Sequence, residues 1–161
     1  MNHAMYSSNR GDWCTPLNLL ERVRAVAPIG LDPCSNAESI VNAAMSYDIT
    51  EDGLTKTWAD WGLVYVNPPY GREITHWMSK CVVEAYKGVE IVALVPARTD
   101  TRWFQDLALK ADQVLLMRGR VRFMGAEHSA PFPSAVLYWG KDVNRFVNAF
   151  EGLGEFFQVR R

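Results

Sequence analysis

The sequence predicts an α/β domain in which a largely parallel sheet is sandwiched between two helical layers. Two observations carry that prediction. Strand-like and helix-like stretches alternate through the middle of the chain, and strand-rich sequence follows at the end. Three apolar runs also stop at a proline-containing exit: Asp32-Pro33, Asn67-Pro68-Pro69-Tyr70 and Pro96-Ala97-Arg98. In open α/β sheets ligands sit at the carboxyl ends of the strands, so three such exits mark one functional edge. With 161 residues the chain is long enough for one domain, 1–161, with a substantial core.

The elements follow in order. Residues 1–11 are polar and are expected to be mobile. Residues 17–27 read as a helix because Leu19, Leu20, Val23 and Val26 recur at helical spacing. Thr15 is positioned to cap it, with Pro16 at the first helical position. A short strand from Ile29 ends at Asp32. A loop and short helix are expected over 35–44, and a second strand over 45–49. Asp52-Gly53-Leu54 is a turn signal. An aromatic loop, 58–62, leads into the strand 63–66. The stretch 73–86 is an amphipathic helix with Ile74, Trp77, Met78, Cys81, Val82 and Ala85 on one face. Gly88 ends it. Residues 90–95 form an apolar strand of the kind buried on both faces. A helix over 100–110 is capped by Thr99 or Asp100. Strands are read at 113–117 and 135–139, with 120–124 as a further strand or hairpin arm. A short helix or turn covers 143–150, and the tail from Gly152 is ambiguous.

Bulk properties narrow the functional classes. Hydrophobic content of 48% and charged content of 22% are ordinary for a globular protein. A net charge of -1 exerts no global pull on nucleic acid or membrane, so any nucleic-acid contact must be local. The three cysteines are an odd number without metal-ligand pairing, which suits a reducing cytoplasm. No stretch reads as a signal peptide or a membrane span, and a cytoplasmic location is expected. His3, His76 and His128 lack metal-ligand spacing, and no metal is expected.

Asn67-Pro68-Pro69-Tyr70 is the most informative stretch. Two successive prolines lack backbone N–H groups and have fixed φ, so a central strand cannot continue through them. The exit is stiff, and it presents an amide and an aromatic ring suited to gripping a flat, polar ligand. Taken alone, the tetrapeptide also fits a rigid turn with a buried tyrosine. Other residues are equally double in meaning. Thr15 is a helix cap or part of a site, and Trp13 is a site wall or a core residue. Asp32 binds a ligand or caps the next helix. Asp52 binds a ligand or simply forms its turn. Arg118, Arg120 and Arg122 alternate, so they share a face that is either a phosphate contact or a solvated edge strand. Arg72, Arg98 and Arg102 are available to extend it.

Set in order, these residues resemble the small phage-type (Dam-like) DNA adenine-N6 methyltransferases. The matching residues are Asp12-Trp13-x-Thr15-Pro16, Asp32-Pro33-Cys34, and Asp52-Gly53-Leu54 with Trp58. They continue with Asn67-Pro68-Pro69-Tyr70-Gly71, Trp77, Leu94-Val95-Pro96-x-Arg98-Thr99-Asp100, Gly119-Arg120 and Ala130-Pro131-Phe132-Pro133-Ser134. The resemblance spans nearly the whole chain. It implies a three-layer Rossmann-like methyltransferase fold, S-adenosylmethionine as cofactor, adenine in DNA as substrate, and a viral role in evading host restriction. By resemblance, Asn67, Pro68, Pro69 and Tyr70 are catalytic. Trp13, Thr15, Pro16, Asp32, Pro33 and Asp52 bind the cofactor, and Arg72, Arg98, Arg118, Arg120 and Arg122 meet the DNA. The chain departs from larger relatives in two ways. Their glycine-rich loop is replaced by Cys34-Ser35-Asn36-Ala37, and there is no room for an inserted target-recognition domain.

The chemistry asks for these groups. The exocyclic amine of adenine is a poor nucleophile because its lone pair is delocalised into the ring. Two acceptors holding its hydrogens favour a pyramidal nitrogen, and the Asn67 side-chain oxygen and the Pro68 carbonyl supply them. Tyr70 then stacks on the extruded base. The same apparatus suits another planar nitrogen, in RNA or in a protein glutamine. A non-catalytic module that only binds DNA or protein is the alternative from another class.

Overall fold

The computed structural model describes residues 13–160. The expected mobility of 1–11, Asp12 of the first motif, and His3 lie outside the described residues. In chain order the elements are α1 (Leu17–Val26), β1 (Ile29–Asp32), β2 (Met45–Ser46), β3 (Leu63–Val66), α2 (Ile74–Tyr86), β4 (Ile91–Pro96), α3 (Arg102–Asp106), β5 (Gln113–Met117), β6 (Ser134–Trp139), α4 (Val143–Ala149) and β7 (Gly154–Phe157).

The strands form one mixed sheet in the order β2-β1-β3-β4-β6-β5-β7. Pairings from β2 through β4 are parallel, and those from β4 through β7 are antiparallel. It follows that β6 and β7 run against the other five. The carboxyl ends of β1, β3, β4 and β5 therefore share one edge.

Both faces of the sheet are covered, which explains the continuous apolar runs. Successive side chains of a strand point to opposite faces. Leu63 and Tyr65 of β3, with Val92 and Leu94 of β4, pack against Leu20 and Val23 of α1 and Phe146 of α4. Val64 and Val66, with Ile91, Ala93 and Val95, pack against Trp77, Met78 and Cys81 of α2 and Phe104 of α3. Helices thus lie on both faces, and the architecture is three-layered.

Several local expectations are corrected. Residues 35–44 form no helix. There the Asn36 and Ser39 side chains bond the backbone N–H groups of Glu38 and Val41, while Arg24 takes the carbonyls of Ile40 and Val41. Side chains that satisfy the backbone this way compete with helix formation. The second strand is reduced to the two residues of β2. The helix read at 100–110 begins only at Arg102, capped by the Thr101 hydroxyl on Phe104 N–H at 3.3 Å. A 3-10 turn, Ala108–Lys110, follows it.

Residues 120–124 are not a strand, because the free edge of β5 is occupied by β7, which formed from the ambiguous tail. The displaced segment is instead pinned by Met124 N–H to the Cys14 carbonyl (3.0 Å) and by Ala130 N–H to the Val121 carbonyl (2.7 Å).

Gly30 in β1 shows how tightly the loop before β3 is laid on the sheet. A Cβ at Gly30 would land on the main-chain carbonyl of Trp61. The neighbouring atoms are backbone and cannot swing aside. Gly30→Ala is expected to cost about 2–3 kcal/mol of stability, as overpacking does, seen as a lowered urea midpoint at unchanged m. A midpoint equal to wild type would show that this loop is free to move.

Candidate active site

β3 delivers the centre of the site. Its ladder stops where Pro68 and Pro69 have no N–H to donate. Pro68 is buried, Pro69 exposed, and Asn67 and Tyr70 half-buried. The Asn67 amide is bonded on both sides. Its Nδ2 donates to the carbonyl of Trp13 and, at 3.1 Å, to Thr15 Oγ1. Its Oδ1 accepts from the Tyr70 hydroxyl at 2.9 Å, and that hydroxyl also lies 3.3 Å from the Leu94 carbonyl on β4. These partners set the orientation of the amide, because the Trp13 carbonyl can only accept and so must face Nδ2 and not Oδ1.

Thr15 is not the cap of α1. Pro16 occupies the N-cap position, and its carbonyl accepts from Leu19 and Leu20 N–H. The Thr15 hydroxyl is turned inward instead, 2.6 Å from the hydroxyl of Tyr65. Trp13, half-buried, sits edge-on to Phe123 (5.0 Å) and Phe132 (5.4 Å). Tyr70 meets the same two rings edge-on, at 6.3 and 5.4 Å. Phe123 and Phe132 belong to the 118–133 segment, and no role is predicted for them from sequence. Their signal is the alternation Arg120-Val121-Arg122-Phe123, in which both apolar residues are buried and both arginines exposed.

At the neighbouring exit, Asp32 ends β1 and is only 3% exposed. It accepts from Cys34 N–H at 3.2 Å and Ser39 Oγ at 3.4 Å, and forms no salt bridge among the described residues. Burial pushes its pKa up from 3.8 to about 6, against the lowering effect of these hydrogen bonds. Cys34 follows Pro33 in the loop after β1. Burial, and then the Asp32 charge, push its thiol well up, so it stays protonated. Its Sγ donates to the Asn67 main-chain carbonyl at 3.2 Å and ties the β1 exit to the β3 exit.

Pro33 is buried, and its carbonyl is where a Cβ on Gly53 would fall. Trp58, wholly buried, donates from Nε1 to the Gly53 carbonyl at 3.0 Å. Asp52 is therefore brought beside the β1 exit. Its own carboxylate is exposed and accepts from Leu54 N–H at 3.2 Å, capping the 3-10 turn Gly53–Thr55. Its φ of 53° marks it as a turn former as well as a neighbour of the site.

The arginines follow the strand ends. Arg72 comes after β3, Arg98 after β4, and Arg118, Arg120 and Arg122 after β5, all exposed. Arg118 lies 3.9 Å from Glu155, and Arg122 donates to the Ala126 carbonyl at 3.2 Å. Arg120 and Arg122 lie in irregular chain, not in the strand expected of them, although their alternation survives. Among the described residues no group of three or more His, Cys, Asp or Glu is arranged to hold a metal ion. No helix among them is long and apolar enough to cross a membrane.

Comparison with known proteins bears on this geometry. No curated protein matches the chain. The family described as DNA N-6-adenine-methyltransferase (Dam) matches residues 3–136. The matched stretch holds Trp13 and Thr15, the β1 and β3 exits and the arginines around them. Because it takes in most of the chain and every strand end just described, the chain belongs to the DNA N-6-adenine-methyltransferase (Dam) family.

Proposed function

We propose that this DNA adenine-N6 methyltransferase takes its methyl group from S-adenosylmethionine, and that Asn67 and Pro68 hold the acceptor amine. The observation that carries the proposal is the anchored amide of Asn67. Its nitrogen is committed to Trp13 and Thr15, which leaves its oxygen as the free acceptor of the rim, now occupied only by a tyrosine hydroxyl.

The cofactor is tested by what the β1 exit holds. A buried carboxylate without a cationic partner among the described residues is costly, and it suits the ammonium of an amino-acid moiety. Asp32 would hold that group. Pro33 follows Asp32 directly and packs against Gly53, next to Asp52; by the resemblance, these residues with Trp13 and Pro16 would complete the pocket. When bound, S-adenosylmethionine supplies an electrophilic methyl on a positively charged sulfur.

Asn67 Oδ1 accepts one hydrogen of the adenine amine in place of the Tyr70 hydroxyl, and the Pro68 carbonyl accepts the other. The prolines keep both acceptors fixed, so little entropy is lost in alignment. A neutral amide is an orienter and a partner for developing positive charge, not a strong base. Tyr70 offers its ring to the extruded base, a contact worth about 1–3 kcal/mol. The arginines at the strand ends hold phosphates, which a net charge of -1 conceals. The sheet supports a Rossmann-like reading through its parallel half, β2-β1-β3-β4. An odd number of cysteines without metal-ligand pairing supports a reducing, cytoplasmic setting.

The deciding assay incubates the chain with labelled S-adenosylmethionine and unmethylated DNA, and looks for N6-methyladenine after digestion. Asn67→Ala is expected to abolish product while cofactor affinity stays within about tenfold, or ~1.4 kcal/mol. Wild-type turnover by that variant would remove Asn67 from the mechanism.

Replacing Arg120 and Arg122 together by Ala should weaken binding to all DNA sequences alike. It should also flatten the slope of log K against log salt by about 2, near one per phosphate contact. An unchanged slope would mean that this face is merely solvated.

Asp32 carries a pH signature. Its folded pKa, about 6, lies above the ordinary 3.8, so the unfolded chain releases this proton first as pH rises. The stability it permits is greatest below 3.8 and falls between 3.8 and about 6, by about 3 kcal/mol at most. Asp32→Asn should raise the melting temperature above pH 6 and flatten the dependence in that window, while weakening cofactor binding. A variant less stable at pH 8 than wild type, melted without ligand, would contradict this account.

A further inference from the structure

We infer that Tyr65 and Thr15 are positioning residues, which act through Asn67 by holding its amide with the oxygen toward the acceptor base. The inference rests on the role proposed above for Asn67. Thr15 is thereby assigned a function different from that of a cofactor wall, and Tyr65, which no motif marks, is brought into the site.

The physical problem is the symmetry of an amide. Its oxygen and nitrogen are nearly the same size, and a half-turn exchanges them. A flipped Asn67 would aim N–H groups at the amine hydrogens, a clash of donors that would oppose the reaction. What holds the productive face is therefore the set of groups behind Nδ2. One is the Trp13 carbonyl, which can only accept. The other is the Thr15 hydroxyl at 3.1 Å, which can donate or accept and so does not by itself choose a face.

Tyr65 removes that ambiguity. Its hydroxyl is 2.6 Å from Thr15 Oγ1. Because Thr15 Oγ1 accepts from Asn67 Nδ2, the threonine's own proton is available to the Tyr65 hydroxyl, and donated there it is committed, which leaves only lone pairs facing Asn67. Tyr65 lies two residues before Asn67 at the end of β3, so one strand carries both ends of the relay. Tyr65 and Thr15 are 1% and 3% exposed. Their hydroxyls are directed at each other and at the amide, and the relay is shielded from water that would otherwise compete for it. Without the Tyr65 hydroxyl, Thr15 is free to rotate and donate to Asn67, which would accommodate the flipped amide.

The experiment measures single-turnover methyl transfer to DNA and, separately, S-adenosylmethionine affinity, for the full chain and three variants. Thr15→Val is expected to slow transfer about 10–100-fold, in the range of one lost buried hydrogen bond, and to leave cofactor affinity within about threefold. Thr15→Ser keeps the hydroxyl and should recover most of that loss. Tyr65→Phe leaves Thr15 untouched and retains the ring in the core, so it tests the relay even if Thr15→Val folds poorly. It should slow transfer about 3–10-fold, again with affinity kept.

Unchanged transfer by Tyr65→Phe would overturn the relay. Weakened cofactor binding at an unchanged transfer rate in Thr15→Val would return Thr15 to the pocket wall and overturn its positioning role. A wild-type chain that makes no N6-methyladenine would overturn the functional reading itself, and is distinguished by being measured before any variant.

Discussion

The side-chain amide of Asn67 is the joint on which the rim of this molecule depends. Through it the segment before α1, the end of β3 and, by way of Tyr70, the middle of β4 are held in one arrangement. A partly buried amide with both ends paired is inexpensive to fold, whereas one left unpaired would cost about 1–3 kcal/mol. The two prolines that follow make the joint stiff and prevent the chain from absorbing an error by bending. Precision here comes from a neutral group with satisfied bonds and requires no buried charge.

The neighbouring exit is built on the opposite principle. Asp32 is buried with neutral hydrogen-bond donors and without a cation among the described residues, and its raised pKa records the cost. Cys34 then links this exit to the next. Its protonated thiol reaches the Asn67 main-chain carbonyl and couples the two exits, so the acid and the amide are parts of one structure.

The segment 118–133 joins an exposed basic face to this rim. Its arginines point outward, while Val121, Phe123, Ala130 and Phe132 are buried. Phe123 and Phe132 pack edge-on against both Trp13 and Tyr70. With the β5 edge taken by β7, the segment is held by aromatic contacts and a few main-chain bonds. Five arginines, Arg72, Arg98, Arg118, Arg120 and Arg122, follow the carboxyl ends of β3, β4 and β5.

Much of this was legible in the sequence, for local reasons. Apolar runs marked β1, β3, β4 and β6, because strands buried on both faces need apolar residues at every position. Helical spacing marked α1 and α2, and prolines marked where the ladders must stop. The Asn67 motif and Asp32 therefore stood out as residues delivered to one edge. What the sequence misassigned depended on competition with distant chain. Residues 120–124 have a strand-like alternation but lost the edge of β5 to residues 154–157. Thr15 has the chemistry of a cap but found Tyr65 and Asn67 instead, about fifty positions away. Short-range pattern determined the elements and the identity of the chemical groups. Which partner each polar group received was decided by tertiary structure alone, because a hydroxyl or an amide bonds the nearest complementary atom in space, wherever that atom lies along the chain.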